Sequence, residues 1–143
     1  MAEESRLDLE YLISKYRKAH GKAEKGFSIA CMGSPESPAY AEELEHAWNF
    51  LTNAEEYMKI IKEATQNMNL KLPQMLIRDF ESLPNLRDKL YFASEFPHCH
   101  EEVRPLYLDM MDAVGREDYE TAAKLRDEIE SVVSSVVLKA QPL

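Results

Sequence analysis

Two helical patterns separated by only three residues place the tightest constraint on how this chain folds. Val103, Leu106, Tyr107, Met110, Met111 and Val114 recur at intervals that gather side chains on one face of an α-helix. Gly115, Arg116 and Glu117 follow, and Asp118 is then placed to cap a second helix by accepting from its first free amides. On that helix Tyr119, Ala122, Ile129 and Val133 lie near one face with Leu125 and Val132 at its edge, while Glu120, Lys124, Asp127, Glu128 and Glu130 turn to water. So short a connection forces the helices to fold back as an antiparallel hairpin. Ala122 and Ala123 are too small to hold a neighbouring helix away, so close packing is expected there. A lone hairpin buries little apolar surface.

The second pattern reads Asp118-Tyr119-Glu120-Thr121-Ala122-Ala123-Lys124-Leu125-Arg126-Asp127-Glu128-Ile129. It resembles the UVR motif of the excision-nuclease subunits UvrB and UvrC, whose second helix reads Asp-(Phe/Tyr)-Glu-x-Ala-Ala-x-Leu-Arg-Asp-x-Ile, and every fixed position is matched. The resemblance leaves the N-terminal two thirds of the chain outside it. In the excision nuclease this hairpin docks one protein on another, and similar hairpins occur in partners of Clp chaperones and in an activator of a protein arginine kinase. The resemblance therefore implies association, with another UVR protein or a Clp chaperone as partner, and no catalysis. The residues expected to meet a partner are Leu106 and Met110 on the first helix and Tyr119, Ala122, Leu125 and Ile129 on the second, some of which must instead hold the hairpin together. Arg126 and Asp127, both fixed in the motif, either form a bidentate pair across a helix interface or pair within their own helix. The kinase activators carry CxxC zinc modules, which this chain lacks.

The remainder reads as all-α. At 143 residues, with scarce Gly and with Pro at segment ends, the chain suits one ordinary helical core. The expected division is an N-terminal helical domain over 1–97 and the hairpin over 98–138. A net charge of −9 argues against a surface that neutralises phosphates, and between Glu101 and Glu130 ten acidic residues face four basic ones. Lys15, Arg17, Lys18, Lys22 and Lys25 make a local basic strip, read as a solvated helix face in preference to a nucleic-acid contact. Two cysteines without CxxC spacing fit a reducing compartment, and neither a secretory signal nor a membrane-spanning apolar run is visible. A soluble cytoplasmic protein is the expectation.

Ser5 is expected to cap a first helix through Leu9, Leu12, Ile13 and Tyr16, ending near Gly21 or Gly26. Gly26 to Pro38, rich in Gly, Pro and Ser, reads as a loop whose apolar Phe27, Ile29 and Met32 anchor it in the core; an exposed docking peptide is the second reading. The longest pattern runs from Ala39 to about Met68, started by Ser34 or Ser37, ended near Asn67-Met68-Asn69, with Trp48 as its main packing anchor. So long a helix is compatible with a homodimer, although burial within one chain is favoured. Pro73 opens a further helix, which Pro84 is expected to interrupt. Residues 79–90 align without gaps on 118–129 but replace the two alanines by Leu83 and Pro84, leaving a degenerate second copy and coincidence both open.

Glu95 to His100 marks a break in which His98, Cys99 and His100 are adjacent. They lack the spacing and fourth ligand of a tetrahedral zinc site, so a turn with a buried cysteine is preferred and neither metal nor cofactor is expected. Phosphate-cradling Gly loops, GxSxG elbows and HExxH helices do not occur. The favoured reading is a non-catalytic adaptor or regulatory subunit; the alternative is an accessory factor of nucleotide excision repair.

Overall fold

The computed structural model describes residues 2–140, and side chains from residue 8 to residue 136. Five helices follow one another: α1 (Ala2–Met32), α2 (Pro38–Asn67), α3 (Gln74–Glu95), α4 (His100–Gly115) and α5 (Tyr119–Ala140), with no strand among the described residues. The all-α expectation holds. Two compact units divide within α3, the first running up to Leu90 and the second starting at Tyr91.

In the first unit α1 and α2 pack closely along their length, because the facing stripe of α1 is built from small residues. Tyr16, Ala19, Ala23, Gly26 and Ala30 are all buried, at alternating intervals of three and four. Opposite them α2 buries Tyr40, Leu44, Ala47, Leu51, Ala54 and Ile61. At the closest approach a Cβ added to Gly26 would stand 3.1 Å from Ala47 Cβ and 3.3 Å from the Glu43 carbonyl oxygen. α3 adds Leu76, Phe80, Leu83, Leu86 and Leu90 as a third buried stripe, and Phe80 meets the Tyr16 ring edge-on at 4.8 Å. Complete burial of side chains such as Leu51, Ile61, Leu83 and Leu90 stabilises by roughly 1.5–3 kcal/mol each.

Several expectations are corrected here. α1 does not stop at Gly21 or Gly26 but continues to Met32; Gly26 is a site of close helix approach, and Ser5 lies inside the helix instead of capping it. The loop therefore shrinks to residues 33–37, Phe27 is partly buried, and Ile29 and Met32 are exposed on the helix instead of anchored in the core. α3 runs through Pro84, which withholds the amide that the Phe80 carbonyl would accept; the buried residues on either side of the proline hold the helix together. Trp48 is only partly buried, with the Arg87 guanidinium 5.5 Å from its ring, and the deepest part of α2 consists of Ala47, Leu51, Ala54 and Ile61.

The ends of α2 are as expected. Ser37 caps its start by accepting from the Ala39 amide at 3.3 Å. Its C-terminus closes in a Schellman motif, the Leu70 amide donating to the Thr65 carbonyl at 2.9 Å, with Asn69 in the left-handed region at φ 54°. Residues 79–90 do not share the local structure of 118–129: Asp79 lies inside α3, whereas Asp118 stands before the first residue of α5.

The second unit is smaller. Phe92, from the end of α3, and Cys99 and Val103 form its buried centre, with Phe96, Tyr107, Ile129, Val132, Val133 and Val136 packed around them. Burial, and then the nearby Glu102 carboxylate, raise the Cys99 thiol pKa, which keeps it an uncharged apolar filler.

Candidate interaction site

The hairpin of α4 and α5 turns on a doubly used residue. The Asp118 amide donates to the Ala113 carbonyl at 2.8 Å and the Glu117 amide to that of Val114 at 3.0 Å, which together close α4 as a Schellman motif. Glu117 takes the left-handed position, with φ 61°. Asp118 also caps α5: its carboxylate accepts from the Thr121 amide at 3.2 Å and the Thr121 hydroxyl at 2.7 Å. The side-chain bond from Thr121, followed by the backbone one, lowers the Asp118 pKa below its ordinary value, so the cap is charged at neutral pH. Ending one helix and starting the next on a single residue fixes the sharpness of the turn.

Side chains of the hairpin divide between its own packing and its surface. On α4, Val103 and Ala113 are buried and Leu106, Tyr107 and Met110 are partly buried, whereas Leu108, Met111 and Val114 are exposed. On α5, Ala122 is buried, Ala123, Leu125 and Ile129 are partly buried, and Tyr119 is 64% exposed. Of the residues expected at a partner surface, Ala122 and Ile129 thus lie within the hairpin, Leu106, Met110 and Leu125 are half covered, and Tyr119 stands clear. Arg126 and Asp127 are both exposed, their nearest polar atoms 3.6 Å apart on adjacent residues, a solvated pair worth little. Glu120 and Lys124, and likewise Arg126 and Glu130, are correctly spaced along α5 but do not close ion pairs. Leu108 was not singled out by the sequence pattern, because it lies outside the stripe that faces α5.

Among the described residues no group of three or more His, Cys, Asp or Glu side chains is placed to hold a metal ion. Cys31 and Cys99 are both outside any disulfide. Among the described residues of the first unit are two open grooves. One of about 330 Å³ is lined by Met58, Lys62, Ile77, Phe80 and Leu83 among others, and one of about 340 Å³ by residues including Glu24, Phe27, Ser82 and Lys89. In the latter Ser82 donates its hydroxyl to the Asp79 carbonyl at 2.7 Å, leaving it no base. No helix in the described residues is long and apolar enough to cross a membrane.

α4 and α5 thus form a short hairpin with a capped turn, on which Leu108, Met111, Val114 and Tyr119 are exposed. The sequence model of the UVR family, described as the UvrB/uvrC motif, matches residues 101–134, which span most of α4 and the first part of α5. UVR is a small helical protein-protein interaction motif, not a catalytic one. No curated protein and no solved structure matches the chain.

Proposed function

We propose that this protein is a non-catalytic interaction module, a cytoplasmic adaptor or regulatory subunit, that docks through its α4–α5 hairpin on a Clp-type chaperone or another UVR protein. The observation that supports this reading best is the exposure of Leu108, Met111, Val114 and Tyr119 on a hairpin that matches the UVR motif. The acidic balance around them, within a chain of net charge −9, weighs against a role in direct contact with DNA.

The test is retention of cellular proteins by the wild type and by a Leu108→Asp, Met111→Asp double variant whose helicity is unchanged by circular dichroism. Wild type retains a Clp-type chaperone or a UVR-bearing protein, and the variant loses it by roughly tenfold or more, since apolar side chains at the centre of an interface carry much of its affinity. Equal retention of the same set by both proteins overturns the proposal.

A further inference from the structure

Outside the hairpin, a basic ridge runs along α1, with Lys18, Lys22 and Lys25 exposed and Lys15 partly buried. Lys15, Lys18, Lys22 and Lys25 follow one another at intervals of three, four and three, which aligns them along one face for about 15 Å of helix rise. Tyr11 and Ile29 extend the line at either end, 61% and 42% exposed. Lys15 lies 5.4 Å from the centre of the Tyr11 ring and Lys22 5.1 Å from that of Phe50, but none of the four is paired with a carboxylate of the described residues.

The flank of α5 carries the complementary pattern. Glu120, Ala123, Asp127 and Glu130 repeat the same intervals of three, four and three and so the same rise of about 15 Å. The three acids are exposed and Ala123 is partly buried, leaving a low point between carboxylates. Among the described residues Glu120 and Glu130 have no cation partner, and Asp127 has only its neighbour Arg126 at 3.6 Å. Because these intervals read the same from either end, the two rows match in parallel or antiparallel alignment. Their average step of about 3.3 residues is close to the 3.5 of helices packed side by side with flanking ion pairs.

We propose that the acidic flank of α5 in one copy of this chain docks along the lysine ridge of α1 in a second copy. The proposal rests on the reading of the hairpin as a docking element. The aliphatic stems of Lys18 and Lys22 cover Ala123, and their ammonium groups, with those of Lys15 and Lys25, meet Glu120, Asp127 and Glu130. Each copy offers one ridge and one flank, and a dimer that exchanges both makes the contact twice. The occupant is identified by charge and register together: the acidic flank of a second copy repeats the spacing of the ridge, whereas a nucleic acid would be repelled by the rest of this acidic chain.

Sedimentation equilibrium of the full chain, from about 5 to about 200 μM at about 50 mM salt, tests this. The wild type moves from monomer toward dimer as concentration rises. Lys18→Glu with Lys22→Glu weakens association at least about tenfold, as does Asp127→Lys with Glu130→Lys, and the chain carrying all four changes recovers it, because the ion pairs are re-formed with exchanged signs. All substitutions are at exposed positions, and circular dichroism checks that helicity is kept. A wild type that stays monomeric throughout, or association unmoved by either reversal, overturns the proposal. So does saturable binding of a labelled oligonucleotide that the lysine variant abolishes while no self-association occurs. Because these positions differ from Leu108 and Met111, a wild type that never self-associates but still retains its partner sinks this proposal alone.

Discussion

Gly21 and Gly26 stand in the same helix, five residues apart, and the structure assigns opposite consequences to replacing them with alanine. Neither has a positive φ, so both gain the same local helix stability, about 0.5–1 kcal/mol, from the loss of glycine's freedom in the unfolded chain. At Gly21 nothing lies within 4 Å of the added Cβ, so the whole gain is expected to appear. At Gly26 the new atom meets Ala47 Cβ at 3.1 Å and the Glu43 carbonyl at 3.3 Å, a short side chain and a backbone atom that cannot swing aside. Overpacking of this kind costs about 1–3 kcal/mol, so Gly26→Ala comes out between neutral and about 2 kcal/mol destabilised. Urea unfolding followed by circular dichroism, on the full chain, measures both. The two variants should differ by at least about 1 kcal/mol, with Gly21→Ala above the wild type. A Gly26→Ala protein as stabilised as Gly21→Ala would refute the close approach of α1 and α2.

Tyr16 is fully buried and its hydroxyl finds no partner, so Tyr16→Phe should raise stability by about 1 kcal/mol in the same unfolding assay; a loss of that size would show that the hydroxyl is satisfied. Glu117 sits at φ 61°, where a side chain is strained, and Glu117→Gly should stabilise the hairpin by up to about 1 kcal/mol, measured by thermal unfolding. The lowered pKa of Asp118 makes its contribution present above the unfolded carboxylate value, near 3.9, and lost as pH falls through the lower folded value. Asp118→Ala should therefore be less stable than wild type at neutral pH and converge on it in acid; a gap that persists undiminished in strong acid would contradict the charged cap.

The turn between α4 and α5 was legible because its determinants are local. Three connecting residues, an Asp at the cap and a periodic stripe on each side leave one arrangement open. The errors arose where packing overrides local preference. Gly26 and Pro84 are both helix-breaking by composition, yet one lies in a contact between helices and the other between buried Phe80, Leu83, Leu86 and Leu90. A signal for the first existed in the sequence: Ala19, Ala23, Gly26 and Ala30 keep helical spacing, which a loop at Gly26 would not require. No comparable signal separated Ala122 from Tyr119. Both fall near the apolar side of α5, but the end of the hairpin covers only the former, so a periodic stripe wider than its partner left part of itself in water.

That incomplete coverage also says why a docking role suits the second unit better than the first. The first unit has three long helices whose buried stripes face one another, and its centre includes Tyr16, Leu51, Ile61, Leu76, Leu83 and Leu90 at or near zero exposure. The second has one large side chain so enclosed, Val103, and the ring of valines and aromatics about it is only partly covered. Area left in water on Leu106, Met110 and Leu125 is area whose burial by a partner contributes free energy without undoing any contact already made. Such a partner binds the folded hairpin and not the unfolded chain, so it must stabilise this unit in proportion to the logarithm of its concentration over its Kd. If the hairpin docks as proposed, its binding and folding are linked through the same half-buried residues. On that reading a substitution that empties one of them is expected to weaken both, and a change at Leu108 or Met111 to weaken binding alone.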